Sequence, residues 1–258
     1  RLGLNISTQR AKEIISEVKA EISLPVKIGN KDAIGEQLAI ILSQKGLDAP
    51  GGFTRMHEQA FDIAFEKTDN ATHQAMEALI HNLNTMNSRA GAQVPFSSIN
   101  YGTDTSPEGR MVVRNLLIAT DEGLGNEETP IFPVQIFKVK EGVNYNPGDP
   151  NYDLYKLAIK TSAKRLFPNF SFLDAPFNLA NYREGDYNTE VAYMGCRTRV
   201  IGNVHDRSRE VTCGRGNLSF TSINLPRIGI EARGDINRFY ALLDECMELV
   251  SRQARRKT

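Results

Sequence analysis

The chain has 258 residues, 40% hydrophobic and 24% charged, which is enough for one large α/β domain or two small ones around a sizeable core. Lys plus Arg and Asp plus Glu balance at 31 each, so there is no bulk basic excess for a nucleic-acid duplex and no acidic excess for disorder. Cys196, Cys213 and Cys246 form no Cys-x-x-Cys, which fits neither a disulfide framework nor a four-ligand zinc site; no apolar run nears the roughly 20 residues of a membrane span, and the expectation is a protein of the reducing cytoplasm.

In chain order, Ala11, Ile14, Ile15, Val18 and Ile22 recur at helical spacing, as do Ile34, Leu38, Ile41 and Leu42 before Gly46, a C-cap candidate. A third helix is predicted from Thr54 and a fourth after Asn70, with Ala75, Met76, Leu79, Ile80, Leu83 and Met86 on one face. Val94–Ile99 is the first strand. A polar turn over 100–105 follows it, then a helix with Ser106 as N-cap and Pro107 as its first residue. Ile131–Val139 reads as a buried strand, Asn144–Asn151 as a Pro/Gly loop, Tyr152–Leu166 as a helix and Phe170–Leu173 as a strand. Such alternation predicts parallel βαβ units, hence an α/β barrel or a doubly wound sheet. Thr189–Tyr193 and Leu218–Ile223 are short strands around a polar loop carrying Arg197, Arg199, His205, Asp206, Arg207, Arg209 and Arg215. Asp235 caps a closing helix that turns Ile236, Phe239, Leu242, Leu243, Cys246 and Val250 inward before the polar tail 252–258. Residues 1–90 are thus mainly helical and 91–258 α/β, and with Arg1 at its start the chain reads as a fragment of a longer protein.

Cys196 lies in Tyr193-Met-Gly-Cys-Arg-Thr-Arg199, just after a predicted strand end, where working residues of parallel α/β folds sit. Gly195 lets the backbone approach closely. A thiol beside two arginines suits a thiolate nucleophile, but a free cysteine also serves as a small buried hydrophobe. Downstream, Cys213-Gly-Arg-Gly-Asn217 puts a tight turn ahead of an amide; Asn217 is either aimed into a pocket or a plain turn residue. Glycines 214 and 216 precede an apparent strand, so no dinucleotide fingerprint is made, and no phosphate-binding loop motif is present. His73, Glu77 and His81 at i, i+4 and i+8 could pair on a metal, though such a stripe is more often solvated or at an interface.

Taken together, His73–Thr103 (HQAMEALIHNLNTMNSRAGAQVPFSSINYGT), the Met-Gly-Cys-Arg segment and Gly214-Arg-Gly-Asn-Leu-Ser-Phe-Thr-Ser-Ile-Asn-Leu-Pro226 resemble the anaerobic, class III, glycyl-radical ribonucleoside-triphosphate reductases. The likeness runs from about Ala33 to Arg252 and includes Asn144–Tyr152 and Arg165–Phe170. It implies part of a ten-stranded α/β barrel with a central finger loop, here about 194–216, preceded by helices on the dimer and effector side. Cys196 then matches the cysteine at the loop tip, whose thiyl radical takes the 3′ hydrogen of the ribose and so labilises the 2′ hydroxyl. Asn217 matches an amide that holds substrate or the small reductant. Ser97, Ser98 and Asn100, within the 88–103 strand and loop, become candidates for substrate contact.

The resemblance also implies formate as reductant, and a glycyl radical with a zinc-binding cysteine cluster in segments this chain does not contain. ATP or deoxynucleotide effectors, a radical-SAM activating enzyme and a homodimer follow from it. It implies neither nucleic acid nor a membrane. No cysteine precedes position 195, so the family's earlier active-site cysteine is not represented, Cys213 matches no known role, and the fragment is expected to be silent alone. A nucleotide-binding regulatory or dimerisation module without catalysis is the alternative. A thiolate hydrolase built on Cys196 would need His205 as its base. A related lyase pairs adjacent cysteines at the tip, whereas Gly195 precedes Cys196 here.

Overall fold

A computed structural model describes residues 7–47, 53–87, 94–195, 198–200, 208 and 221–257. The chain divides into two compact units, 1–210 and 211–258.

The first unit opens with helices α1 (Thr8–Glu21), α2 (Lys31–Gln44) and α3 (Phe53–Thr85). Ser7 caps α1 by accepting from the Arg10 amide, and Ile14 and Val18 pack on Ile41 of α2. Lys45 reaches back to Glu17 (2.9 Å) and Glu21 (2.7 Å), which lowers the Glu17 carboxyl and raises the Lys45 ammonium from their ordinary pKa values. One helix stands where two were predicted. No Gly or Pro interrupts 53–85, Thr68 bonds back to the Ala64 carbonyl at 2.7 Å, and Asp69 is held by Asn115 at 2.7 Å. The polar Thr-Asp-Asn stretch therefore stays helical.

Strand β1 (Ser98–Tyr101), helix α4 (Pro107–Glu122), β2 (Val134–Val139), α5 (Tyr152–Arg165) and β3 (Asn169–Phe172) build a parallel sheet in the order β1-β2-β3. The α/β expectation holds at this level. The first strand lies later than predicted, at 98–101 rather than 94–99, because its partners on β2 are Val134 to Phe137. Ser106 caps α4 with Pro107 at its start, as the sequence predicts. Register places Ile99, Tyr101, Gln135, Phe137, Val139 and Phe170 on the helix-facing side, where Val113, Leu117, Leu154 and Ala158 complete the core. Phe137 is fully buried among Tyr101, Tyr155 and Phe170, with ring centroids 5.7–6.1 Å away. One polar chain crosses this core: Tyr101 donates to Gln135, Gln135 to Thr120, and Thr120 to the Leu116 carbonyl.

At the C-terminal ends of β1 and β2, the Pro/Gly loop is held by two fully buried asparagines. Asn144 donates to the Gly102 and Lys138 carbonyls and accepts from the Lys140 amide. Asn151 donates to the Gly102 and Asp104 carbonyls and accepts from Arg110, which also reaches the Pro150 carbonyl and Asp153. Gly102 has φ +121°, and a Cβ there would sit 2.8 Å from the Lys138 carbonyl. A short helix, α6 (Pro176–Leu179), leads to an antiparallel pair, β4 (Ala192–Met194) and β5 (Thr198–Val200). β5 lies inside the stretch predicted as loop; Ala192, Tyr193 and Met194 supply it a partner edge that local composition did not reveal.

The second unit is a helical pair, α7 (Leu225–Ala232) and α8 (Ile236–Lys257). Asn224 caps α7 and Asp235 caps α8, by accepting from the amides of Asn237 and Arg238. α7 has no counterpart in the predicted elements, where Leu218–Ile223 ran as a strand; residues 221–223 are irregular and 218–220 lie outside the described residues. α8 also continues through most of the predicted polar tail. Cys246 is half-buried in a groove shared with Arg227, Ile228, Leu242 and Leu249, not sealed in a core. Among the described residues, no helix is long and apolar enough to cross a membrane.

Candidate active site

The sheet face turned away from the helices is polar. Strand alternation and register place Ser98 and Asn100 of β1, Lys138 of β2, and Asn169 and Ser171 of β3 together on it, with Val134 and Ile136 between them. Three of these side chains grip the segment that enters β4. Asn100 accepts from the Tyr193 amide and donates to the Tyr193 carbonyl, both at 2.8 Å. Ser98 Oγ accepts from the Gly195 amide at 3.1 Å, and Lys138 Nζ reaches Glu190 Oε1 at 2.6 Å.

These contacts follow from residue type. A carboxamide offers a donor and an acceptor side by side, so Asn100 can satisfy one residue's backbone as a strand partner would. Lys138, 13% exposed inside a strand that is otherwise buried, requires a counter-charge, and Glu190, 12% exposed, supplies it. Gly195 turns with φ +64°, and a Cβ there would lie 3.3 Å from the Phe96 ring. Phe96 itself packs edge-on to Phe132 with centroids 5.0 Å apart.

Met194 pairs with Thr198, so residues 195–197 connect β4 to β5, and Cys196 stands in that connection by chain order. Cys196, Cys213 and Asn217 lie outside the described residues, as does most of the predicted finger loop. Ser98 and Asn100 are brought together beside Gly195, with the Asn100 carboxamide bonded to the Tyr193 backbone through both its nitrogen and its oxygen. The Ser97 hydroxyl and that of Ser171 are buried and meet no partner among the described residues. Sequence reasoning missed Lys138 and Glu190. The signal was present: a lysine within Ile-Phe-Pro-Val-Gln-Ile-Phe-Lys-Val, a strand predicted as buried.

The His73, Glu77, His81 stripe resolves differently from its spacing. His73 Nε2 lies 3.8 Å from Glu77 and 3.2 Å from Glu122 at the end of α4, while the His81 carbonyl accepts from Thr85. Both carboxylates are half-exposed, and the group links α3 to α4 at the surface.

Comparison with known proteins agrees with the motifs. The family model described as anaerobic ribonucleoside-triphosphate reductase matches residues 31–258. The anaerobic ribonucleoside-triphosphate reductase of Salmonella typhimurium is 34% identical over 187 residues, covering 72% of this chain and 25% of the relative. That of Haemophilus influenzae is 35% identical over 179 residues, 69% of this chain and 24% of the relative. That of phage T4 is 34% identical over 195 residues, 74% of this chain and 31% of the relative. The chain thus spans about a quarter of the bacterial relatives' length.

Proposed function

The chain belongs to the anaerobic ribonucleoside-triphosphate reductase family, and from that premise we propose that it forms part of the catalytic barrel of such a reductase, with Cys196 as the group that attacks the substrate. The reaction is replacement of the ribose 2′ hydroxyl by hydrogen, with formate oxidised to carbon dioxide and water released. A protein-borne glycyl radical, which the family resemblance assigns to another part of the reductase, would supply the one-electron oxidising equivalent that the Cys196 thiol needs. Cys196 then takes the 3′ hydrogen atom from the ribose and later returns it.

The observation that carries this reading is the grip of Ser98 and Asn100 on Gly195 and Tyr193, which fixes the backbone entering Met-Gly-Cys-Arg against a polar sheet face. Hydrogen-atom transfer is steeply sensitive to the distance between thiol and ribose, so a rigid support behind the cysteine serves it. Ser97, which directly precedes β1 and whose buried hydroxyl meets no partner among the described residues, is kept as a candidate for substrate contact. Ser98 retains its own proton to donate while accepting from Gly195. Asn100 acts here by holding backbone, and Asn217 is assigned the amide near substrate or formate.

By the same reading the full protein is a cytoplasmic homodimer that takes ATP or deoxynucleotide effectors and is activated by a radical-SAM enzyme. Its zinc-binding cysteines, like the glycyl radical, belong to segments beyond this chain. The test is anaerobic turnover by the full-length protein with its activating enzyme, S-adenosylmethionine, CTP and labelled formate. Deoxycytidine triphosphate and labelled carbon dioxide in equal amounts are expected. Nucleotide binding with no deoxynucleotide formed would instead identify a regulatory or dimerisation module.

A further inference from the structure

The Lys138–Glu190 pair is not needed to fill space. Two ions at 13% and 12% exposure lose most of their hydration, and a Met–Leu pair of similar size would cover the same sheet face without that loss. What an ion pair adds at 2.6 Å is a single preferred arrangement. Its place in the fold gives that arrangement a purpose. Glu190, Tyr193 and Gly195 are successive tie points of one segment, fastened to Lys138 on β2 and to Asn100 and Ser98 on β1. The β1 ties hold the segment at Tyr193 and Gly195, and Val191 beside Glu190 is buried. The tie to β2 adds a charged attachment on a second strand. Lys140, just past β2, instead lies with its ammonium 5.3 Å from the centre of the Tyr182 ring.

We propose that Lys138 and Glu190 are positioning residues that fix the approach of Cys196 to the ribose, acting through the β4 segment and touching no substrate themselves. This rests on the reductase reading above. The test uses the full-length enzyme, in which kcat, substrate Kd and melting temperature are measured for Lys138→Met/Glu190→Leu, Lys138→Arg, Glu190→Asp and Cys196→Ala. The double variant removes both ions together, so no charge is left buried and alone. Its kcat is expected to fall by about tenfold to a hundredfold, the scale of a small misplacement of reacting groups, with substrate Kd and melting temperature little changed. Lys138→Arg, which keeps the pair, should retain most of kcat.

Wild-type kcat in the folded double variant would overturn the proposal, as would loss of kcat matched by equal loss of substrate binding. Should the double variant not fold, Glu190→Asp decides: it keeps the charge but shortens the reach, and a folded variant with unchanged kcat would overturn the proposal while a lowered kcat supports it. Cys196→Ala separates the two readings. If it still makes product, the reductase assignment of Cys196 fails; if it is dead while the pair variants are wild-type, only the positioning role fails.

Discussion

At the residue scale, Gly195 is a position with little tolerance for a side chain. Its φ of +64° is unfavourable for any L side chain, and a Cβ would press on Phe96 at 3.3 Å. Gly195→Ala is expected to cost about 1–2 kcal/mol of stability from the backbone alone and to lower turnover further, by moving the residue before Cys196; denaturant unfolding and kcat measured together check this. Unchanged turnover would mean that the backbone conformation at Gly195 does not set the cysteine's position.

Asn144 makes a second sharp case. Its three hydrogen bonds join β1, β2 and the loop after β2, so Asn144→Leu strands buried backbone groups and should cost roughly 2–4 kcal/mol. Tyr101 gives a pH signature, because burial holds its phenol well above the ordinary value. Below about pH 10 the phenol is neutral in both folded and unfolded chains; above it the unfolded chain ionises first, so stability falls as pH rises toward the folded value. Tyr101→Phe should flatten that alkaline decline while costing about 1–2 kcal/mol at neutral pH through the orphaned Gln135 oxygen. Unfolding free energies across the alkaline range, compared with wild type, measure both effects.

At the element scale, the continuity of α3 is the clearest departure from the sequence reading. If Asn70 stood at a break between two helices, proline there would be nearly harmless; inside one helix it removes a backbone bond and clashes with the preceding turn. Asn70→Pro is therefore expected to cost about 3 kcal/mol, and a neutral result by thermal melting would restore the two-helix reading. Local signals placed α1, α2, α4 and α5 well because each carries both a periodic face and a terminus mark, such as Ser106-Pro107. They failed where a partner decided. Thr198–Val200 is a strand only because β4 lies beside it, and Asn70 is helical because its neighbour Asp69 is anchored on α4.

The candidate site was legible to a similar depth. Ser98 and Asn100 were found through the Pro-Phe-Ser-Ser-Ile-Asn-Tyr-Gly motif, but their hold on Tyr193 and Gly195 was not, since it joins residues more than ninety positions apart that only the sheet brings together. Lys138 was passed over as part of an apolar run, although a charge in a buried strand implies a hidden partner.

At the scale of the whole molecule, the three parallel strands end in β1 and β3, whose outer edges have no strand partner among the described residues. Unpaired edges pair with other chains. Produced by itself, the 258-residue chain is expected to self-associate with rising concentration, as light scattering would show; a monomer unfolding in one cooperative transition would contradict this.

The most direct test is therefore a comparison of three single substitutions in the full-length enzyme, Cys196→Ala, Cys213→Ala and Cys246→Ala, assayed for deoxynucleotide formation under identical anaerobic conditions. The account predicts that Cys196→Ala abolishes product while binding ribonucleotide normally, and that Cys213→Ala and Cys246→Ala remain active. Product from Cys196→Ala, or loss of product confined to Cys213→Ala, would contradict it.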